Sequence, residues 1–168
     1  MRLRKPEALI SMFWFLLVIM VASGCGAGKT MVMKPPETAA KFSAVEVTEG
    51  QSTVNVPQEV RDSFQAKLAK LLYEEGGFTR GPGLTIRCQF IQYNPGNQFT
   101  RWFWGGIGNA GEGTMTVEAT FLNGDQELAR IQSEGKISSG AFGGSFDFAA
   151  HKAANEVAEF AKRFHALP

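Results

Sequence analysis

The sequence predicts an α+β domain: a small antiparallel sheet with two packed amphipathic helices, in the order β-α-β-β-β-α. Three observations carry that prediction. Val60, Phe64, Leu68, Leu71 and Leu72 recur at helical spacing, the stripe of a helix with one buried face. Leu84, Ile86, Cys88 and Phe90 alternate with Thr85, Arg87 and Gln89, the period-two pattern of a half-buried strand. The chain ends in an alanine-rich stretch whose apolar residues again repeat at helical spacing. Helices of this kind must bury their stripes, and a sheet with one apolar face is the economical partner.

Phe42–Val47 alternates and reads as the first strand, with its apolar face left open between two choices. Thr48–Thr53 is turn material. The first helix spans Asn55–Glu75, with Asn55 as cap and Pro57 in the first turn, where a missing N–H costs nothing. Burying its five stripe residues contributes about 8–15 kcal/mol gross, most of it offset by conformational entropy. Gly76-Gly77 ends it. The second strand is Leu84–Tyr93, which turns Cys88 inward as a small buried hydrophobe rather than a reactive thiol. Thr114–Phe121 repeats the alternation, with Met115, Val117, Ala119 and Phe121 inward and Thr116, Glu118 and Thr120 outward. Asn123-Gly124 is a hairpin signal, and Glu127–Ile137 is the returning strand. The last helix, Ser145–His165, presents Phe146, Ala149, Ala150, Ala153, Val157, Phe160, Ala161 and Phe164 on one face.

The N-terminus is organised differently. Arg2, Arg4 and Lys5 precede an apolar run, Ala8–Ala22, interrupted only by Ser11. That run is shorter than the roughly 20 residues of a comfortable membrane span. Small residues then lead to Cys25. The arrangement resembles a bacterial lipoprotein signal, which implies residues 1–24 removed and Cys25 acylated through its sulfur. Ordinary secretory cleavage and an uncleaved anchor are the competing readings, because Ala22 stands three places before the cysteine, where Leu, Val or Ile is usual. Gly26 follows the cysteine in place of an aspartate retention signal, so the lipoprotein resemblance implies the outer membrane, periplasmic face. Residues 25–40, rich in Gly, Lys, Thr and Pro, read as lipidated cysteine and flexible tether reaching about 50 Å at most. Residues 41–168 then form a single domain. Ser23–Thr30 nearly spells a phosphate-binding loop, but Ser23 replaces its first glycine and Pro35-Pro36 stands where its helix should run.

Composition narrows the function classes. Removing residues 1–24 takes three cations and one carboxylate from totals of 17 and 16, leaving 14 against 15. No basic stripe suggests nucleic acid. With Cys25 lipidated, Cys88 is alone and no intramolecular disulfide is available. The two histidines, His151 and His165, lie fourteen residues apart on one helix, roughly 21 Å along its axis and too far to share a metal. Asp147 and His151 at i, i+4 suit a surface contact. Glu118, Glu127 and Glu134 suit solubility better than acid–base chemistry. No nucleophile elbow or zinc-binding helix motif occurs. The expectation is a non-catalytic protein with no cofactor and no metal.

The connection between the second and third strands is the outstanding segment. Arg101-Trp102-Phe103-Trp104 precedes Gly105–Gly113, where five of nine residues are glycine. Arg and Trp together suit an interface anchor, which makes Arg101, Trp102, Phe103 and Trp104 the candidate binding loop. Burial of one or more of these aromatics in the core is the alternative, and contact with lipid headgroups is a third. Gly140–Gly144 either tucks Phe142 beneath the sheet or leaves a helix N-terminus open to an anion.

Pro95-Gly96-Asn97, Arg101-Trp102, the glycine run, the Asn123-Gly124 hairpin and Gly140-Ala141-Phe142-Gly143-Gly144 before an alanine-rich helix occur together. Over roughly residues 42–165 the chain resembles a family of bacterial lipoproteins catalogued as a domain of unknown function. The resemblance implies an envelope lipoprotein and supplies no catalytic residue. The sequence reading is therefore a lipid-anchored, periplasm-facing accessory protein that binds a partner. Its expected contacts are the membrane, through the anchor, and an envelope protein; self-association through an uncovered strand edge is left open. An envelope enzyme or small-ligand-binding domain is the runner-up.

Overall fold

A computed structural model describes residues 29–36, 40–96, 113–137 and 146–167. The element order is β1 (Lys29–Lys34), β2 (Ala44–Glu49), α1 (Gln58–Tyr73), β3 (Thr79–Arg80), β4 (Leu84–Asn94), β5 (Gly113–Asn123), β6 (Gln126–Ile137) and α2 (Phe146–His165). The class is α+β: six strands in the order β1-β6-β5-β4-β2-β3, with both helices contributing to one core.

Each expected strand and helix forms, with changed boundaries and two additions. The short β3 is new. So is β1: Lys29–Lys34, read from sequence as tether, pairs antiparallel with β6. Lys29 and Thr30 therefore open a strand, which removes the phosphate-loop geometry from that end of Ser23–Thr30. The sheet is also mixed rather than antiparallel, because β2 runs parallel to both β3 and β4. The cause is α1, whose crossover returns the chain in its original direction.

Helix α1 starts at Gln58, with Pro57 as N-cap and no side-chain cap bond, so Asn55 does not cap it. Its buried residues are Val60, Phe64, Leu68, Leu71 and Leu72, the stripe read from spacing. Phe64 meets Phe90 of β4 edge to face, centroids 5.6 Å apart. The inward row of β4 is buried, and Met115, Val117, Ala119 and Phe121 of β5 have no exposure. Thr116, expected outward, is also buried, with its hydroxyl 3.3 Å from Gln92 Oε1 beside the β4 bulge. The β5–β6 turn sits one residue later than expected. Asn123 pairs with Gln126, and Gly124 alone takes a positive φ, +57°, a value glycine reaches without a Cβ penalty.

Helix α2 buries Ala149, Ala150, Ala153, Val157, Phe160 and Ala161 as expected, plus Ala154 and Ala158. The stripe is wider than a sheet-facing one because α2 also packs on α1. It approaches β6 closely at Gly135, where an added Cβ would lie 2.1 Å from the Ala149 carbonyl oxygen. At its C-terminal end His165 is fully buried, its Nδ1 3.1 Å from the Ala40 carbonyl. The Phe42 N–H donates to the His165 carbonyl at 2.8 Å. The two ends of the domain are thus joined.

Candidate functional site

The candidate residues read from sequence lie outside the described residues: Cys25, Arg101, Trp102, Phe103 and Trp104, along with Gly140–Gly144. The ends of the aromatic connection are described. Asn94 pairs directly with Thr114 across the β4–β5 ladder, and the Gly96 N–H donates to Asn94 Oδ1 at 2.9 Å. The connection therefore leaves and re-enters the sheet at adjacent places.

The titratable residues weighed from sequence are held in structural contacts. Glu118 accepts from Gln89 at 2.8 Å and from Gln132 at 3.0 Å, one amide on each neighbouring strand. Glu127 pairs with Arg130 at 2.5 Å and Glu134 with Lys136 at 3.3 Å. His151 does not pair with Asp147; its Nε2 lies 3.4 Å from Ser63 Oγ on α1. Full desolvation pushes the Cys88 thiol up to about 12, so it stays protonated. His165 is shifted below its ordinary value, chiefly by burial, against a smaller upward pull from the Ala40 carbonyl. Among the described residues no group of three or more His, Cys, Asp or Glu is placed to hold a metal.

Among the clefts of the described residues, two lie at opposite ends of the sheet. The first, about 340 Å³, opens between β2 and α1. Val47, Phe64, Ala66, Ala69 and Phe90 line it, with Cys88 at its base. Its polar rim is organised: Arg61 reaches Glu49 at 2.9 Å and donates through Nε to the Val56 carbonyl at 3.1 Å. The Arg80 guanidinium lies 4.1 Å from the Tyr73 ring centroid, within cation–π range. The Tyr73 hydroxyl donates to the Val45 carbonyl at 3.2 Å, and burial raises its pKa. The second cleft, about 350 Å³, lies between β1 and α2 and is lined by Thr30, Val32, Glu156, Phe160, Arg163 and Phe164 among others. Beside it Met31, Val32 and Met33 are 41%, 52% and 54% exposed.

Sequence reasoning missed both clefts. The first needs the parallel placement of β2 beside α1, and the second needs β1. The run Met31-Val32-Met33 was the available signal, masked by prolines and lysines on either side. Chemically, both clefts offer apolar floor and charged rim beside a strand edge, which suits contact with another chain.

No curated protein matches the chain in sequence. Among solved structures, a variant of the PelC dodecamer from Paraburkholderia phytofirmans matches in fold, with a TM-score of 0.56 at 12% identity. The match covers 84% of this chain and all of that one. A second PelC dodecamer structure from the same organism matches at 12% identity and TM-score 0.49 over the same shares. In sequence, residues 32–144 match one family model. That match takes in the second half of β1, β2 to β6 and the glycine-rich connection, and the chain belongs to the family described as Domain of unknown function (DUF4410).

Proposed function

We propose that the protein is a lipid-anchored accessory lipoprotein of the bacterial envelope, acting by binding and self-association rather than catalysis, on the periplasmic face of the outer membrane. The position of β1 supports this reading most directly. Lys29 opens that strand four residues after Cys25, so a lipid on Cys25 holds the domain within about 14 Å of the bilayer. A tether running to residue 40 would have allowed about 50 Å. The sheet edge and its exposed methionines then lie next to the membrane, where an assembly of anchored copies forms in two dimensions.

Self-association draws support from the fold likeness to a protein solved as a dodecamer and from the cleft at each sheet end. The binding role draws on the same clefts and on Arg101, Trp102, Phe103 and Trp104. The non-catalytic part rests on the surroundings of Glu118, Cys88 and His165, each engaged in packing or hydrogen bonding. A second reading, small-ligand binding, is favoured by one observation, the 340 Å³ cleft above Cys88.

The test is acylation and mass. Cells expressing the full chain and fed an alkyne fatty acid are expected to label the wild type in the outer-membrane fraction and to leave Cys25→Ser unlabelled. Label-free wild type in the soluble periplasm would overturn the anchor. Native mass spectrometry of the detergent-extracted protein is expected to give a multiple of the monomer, and a monomer at every concentration would overturn self-association.

A further inference from the structure

We infer that β1 of one copy adds antiparallel to the open half of β2 of the next copy, head to tail. This inference rests on the self-association proposed above and names its surface.

The sheet has two ends of opposite character. At one end β1 is, among the described residues, an edge strand, with Met31, Val32 and Met33 exposed and a lysine at each terminus. An apolar edge with so little protection is a template for another strand. At the other end β3 covers only Ala44 and Val45 of β2. The Ser43 and Val45 carbonyls accept from the Thr79 and Gly81 amides, so by strand periodicity Val47 and Glu49 turn their peptide groups to the same side, where the Tyr73 hydroxyl meets the Val47 backbone and, among the described residues, no strand pairs beyond Val45. This end carries Glu46 and Glu49, the latter already paired with Arg61, where β1 carries lysines.

Direction and face agree. β1 is antiparallel to β6, β6 to β5 and β5 to β4, while β4 is parallel to β2. β1 and β2 therefore run oppositely within one copy, and copies related head to tail with their helices on one side bring these strands together antiparallel. Val32 lies opposite Ile131, in the row of the buried face, and Val47 lies opposite Ile86 in that face as well. Setting Val32 against Val47 places Met31 against Thr48 on the other face and Thr30 against Glu49. The two clefts both lie on the helix side and meet across this junction.

Pairing β1 with β1 is the competing arrangement. An antiparallel pair of that kind sets Lys29 of each copy towards Lys34 of the other, and like charges across strands are destabilising. It also closes after two copies, whereas a head-to-tail contact can close as a ring.

The test uses the detergent-extracted full chain. Met31→Cys and Thr48→Cys in one chain, under mild oxidation, are expected to give a ladder of covalent oligomers. A mixture of the two single variants is expected to give dimers only, and either single variant alone to give none. Val32→Asp is expected to reduce the native mass to monomer with an unchanged circular dichroism spectrum, and Met33→Asp serves if Val32→Asp does not fold. Native mass equal to wild type in the folded Asp variant, with no ladder from the cysteine pair, overturns the junction while leaving self-association standing. Dimers from Met31→Cys alone overturn it in favour of β1–β1 pairing. A monomeric wild type removes the proposed self-association itself.

Discussion

The two faces of the sheet are built by the same strands and answer to different physics. On the helix side, Ile86, Val117, Ala119, Phe121 and Ile131 have no exposure, and their neighbours are other side chains at packing distance. On the open side, Gln89, Glu118 and Gln132 lie in one row across three strands, joined by hydrogen bonds at 2.8 and 3.0 Å. Volume governs the first face, since a close-packed interior has nowhere to put an extra atom. Hydrogen-bond exchange with water governs the second, where each lost bond is partly replaced by solvent. A substitution should therefore cost several times more on the covered face than on the open one.

The sharpest way to break that contrast is Gly135→Val. Gly135 pairs with Met115 on the covered side of β6, and its missing side chain lets α2 approach until a Cβ would lie 2.1 Å from the Ala149 carbonyl oxygen. That atom is backbone and cannot swing aside. The expected loss is about 3 kcal/mol or more, read as a large fall in the denaturant midpoint or failure to fold. A midpoint equal to wild type would mean that α2 does not rest on β6 at this point.

His165 tests the covered face by charge instead of volume. Its ring stacks on Phe121 with centroids 5.5 Å apart. Nδ1 bonds the Ala40 carbonyl at 3.1 Å, which assigns the proton there in the neutral ring, and Nε2 has no partner among the described residues. Burial lowers the folded pKa, with Lys41 acting in the same direction and the Ala40 bond against it. The unfolded chain takes up its proton near the ordinary value of about 6.5. Between the two values the unfolded state holds one proton more, so stability is fully present above that window and falls as pH drops through it. Thermal midpoints of the wild type should decline from pH 7 to pH 5, and His165→Phe should flatten that slope. An equal slope in both proteins would place the protonation elsewhere.

The same division explains what could be read from the sequence. Local periodicity was enough for the α1 stripe and for the inward rows of β4 and β5, because each has one covered side. It failed where the deciding partner is remote. Thr116 follows the alternation of an exposed residue, yet the bulge between Phe90 and Gln92 brings Gln92 onto it. Lys29–Lys34 has the composition of a tether, and only β6, about a hundred residues later, makes it a strand. His165 ends the last helix read from spacing, and its partner at Ala40 is 125 residues away. Which side of β2 is apolar also waited on packing, which buries Val45 completely. Of the candidate site, Cys25 was picked out by the signal-like run before it and Arg101–Trp104 by residue type, and both lie outside the described residues, while the two clefts arise from strand order, which local periodicity does not specify.

Glu118→Ala gives the smallest effect and the finest test of the open face. The substitution removes both acceptors of the Gln89–Glu118–Gln132 row while leaving the adjacent Val117 and Ala119 in place on the covered side. Glu118, Gln89 and Gln132 are each half-buried, so water can reach the freed amides and replace part of what is lost. The expected cost is about 0.5–1.5 kcal/mol, seen as a modest fall in denaturant midpoint with an unchanged slope. If the cost matched that of Gly135→Val, the row would be sealed from solvent and the open face would be a second core. A cost near zero would instead mean that water replaces the row's hydrogen bonds completely. An intermediate value is what separates a face exchanging bonds with water from one that excludes it.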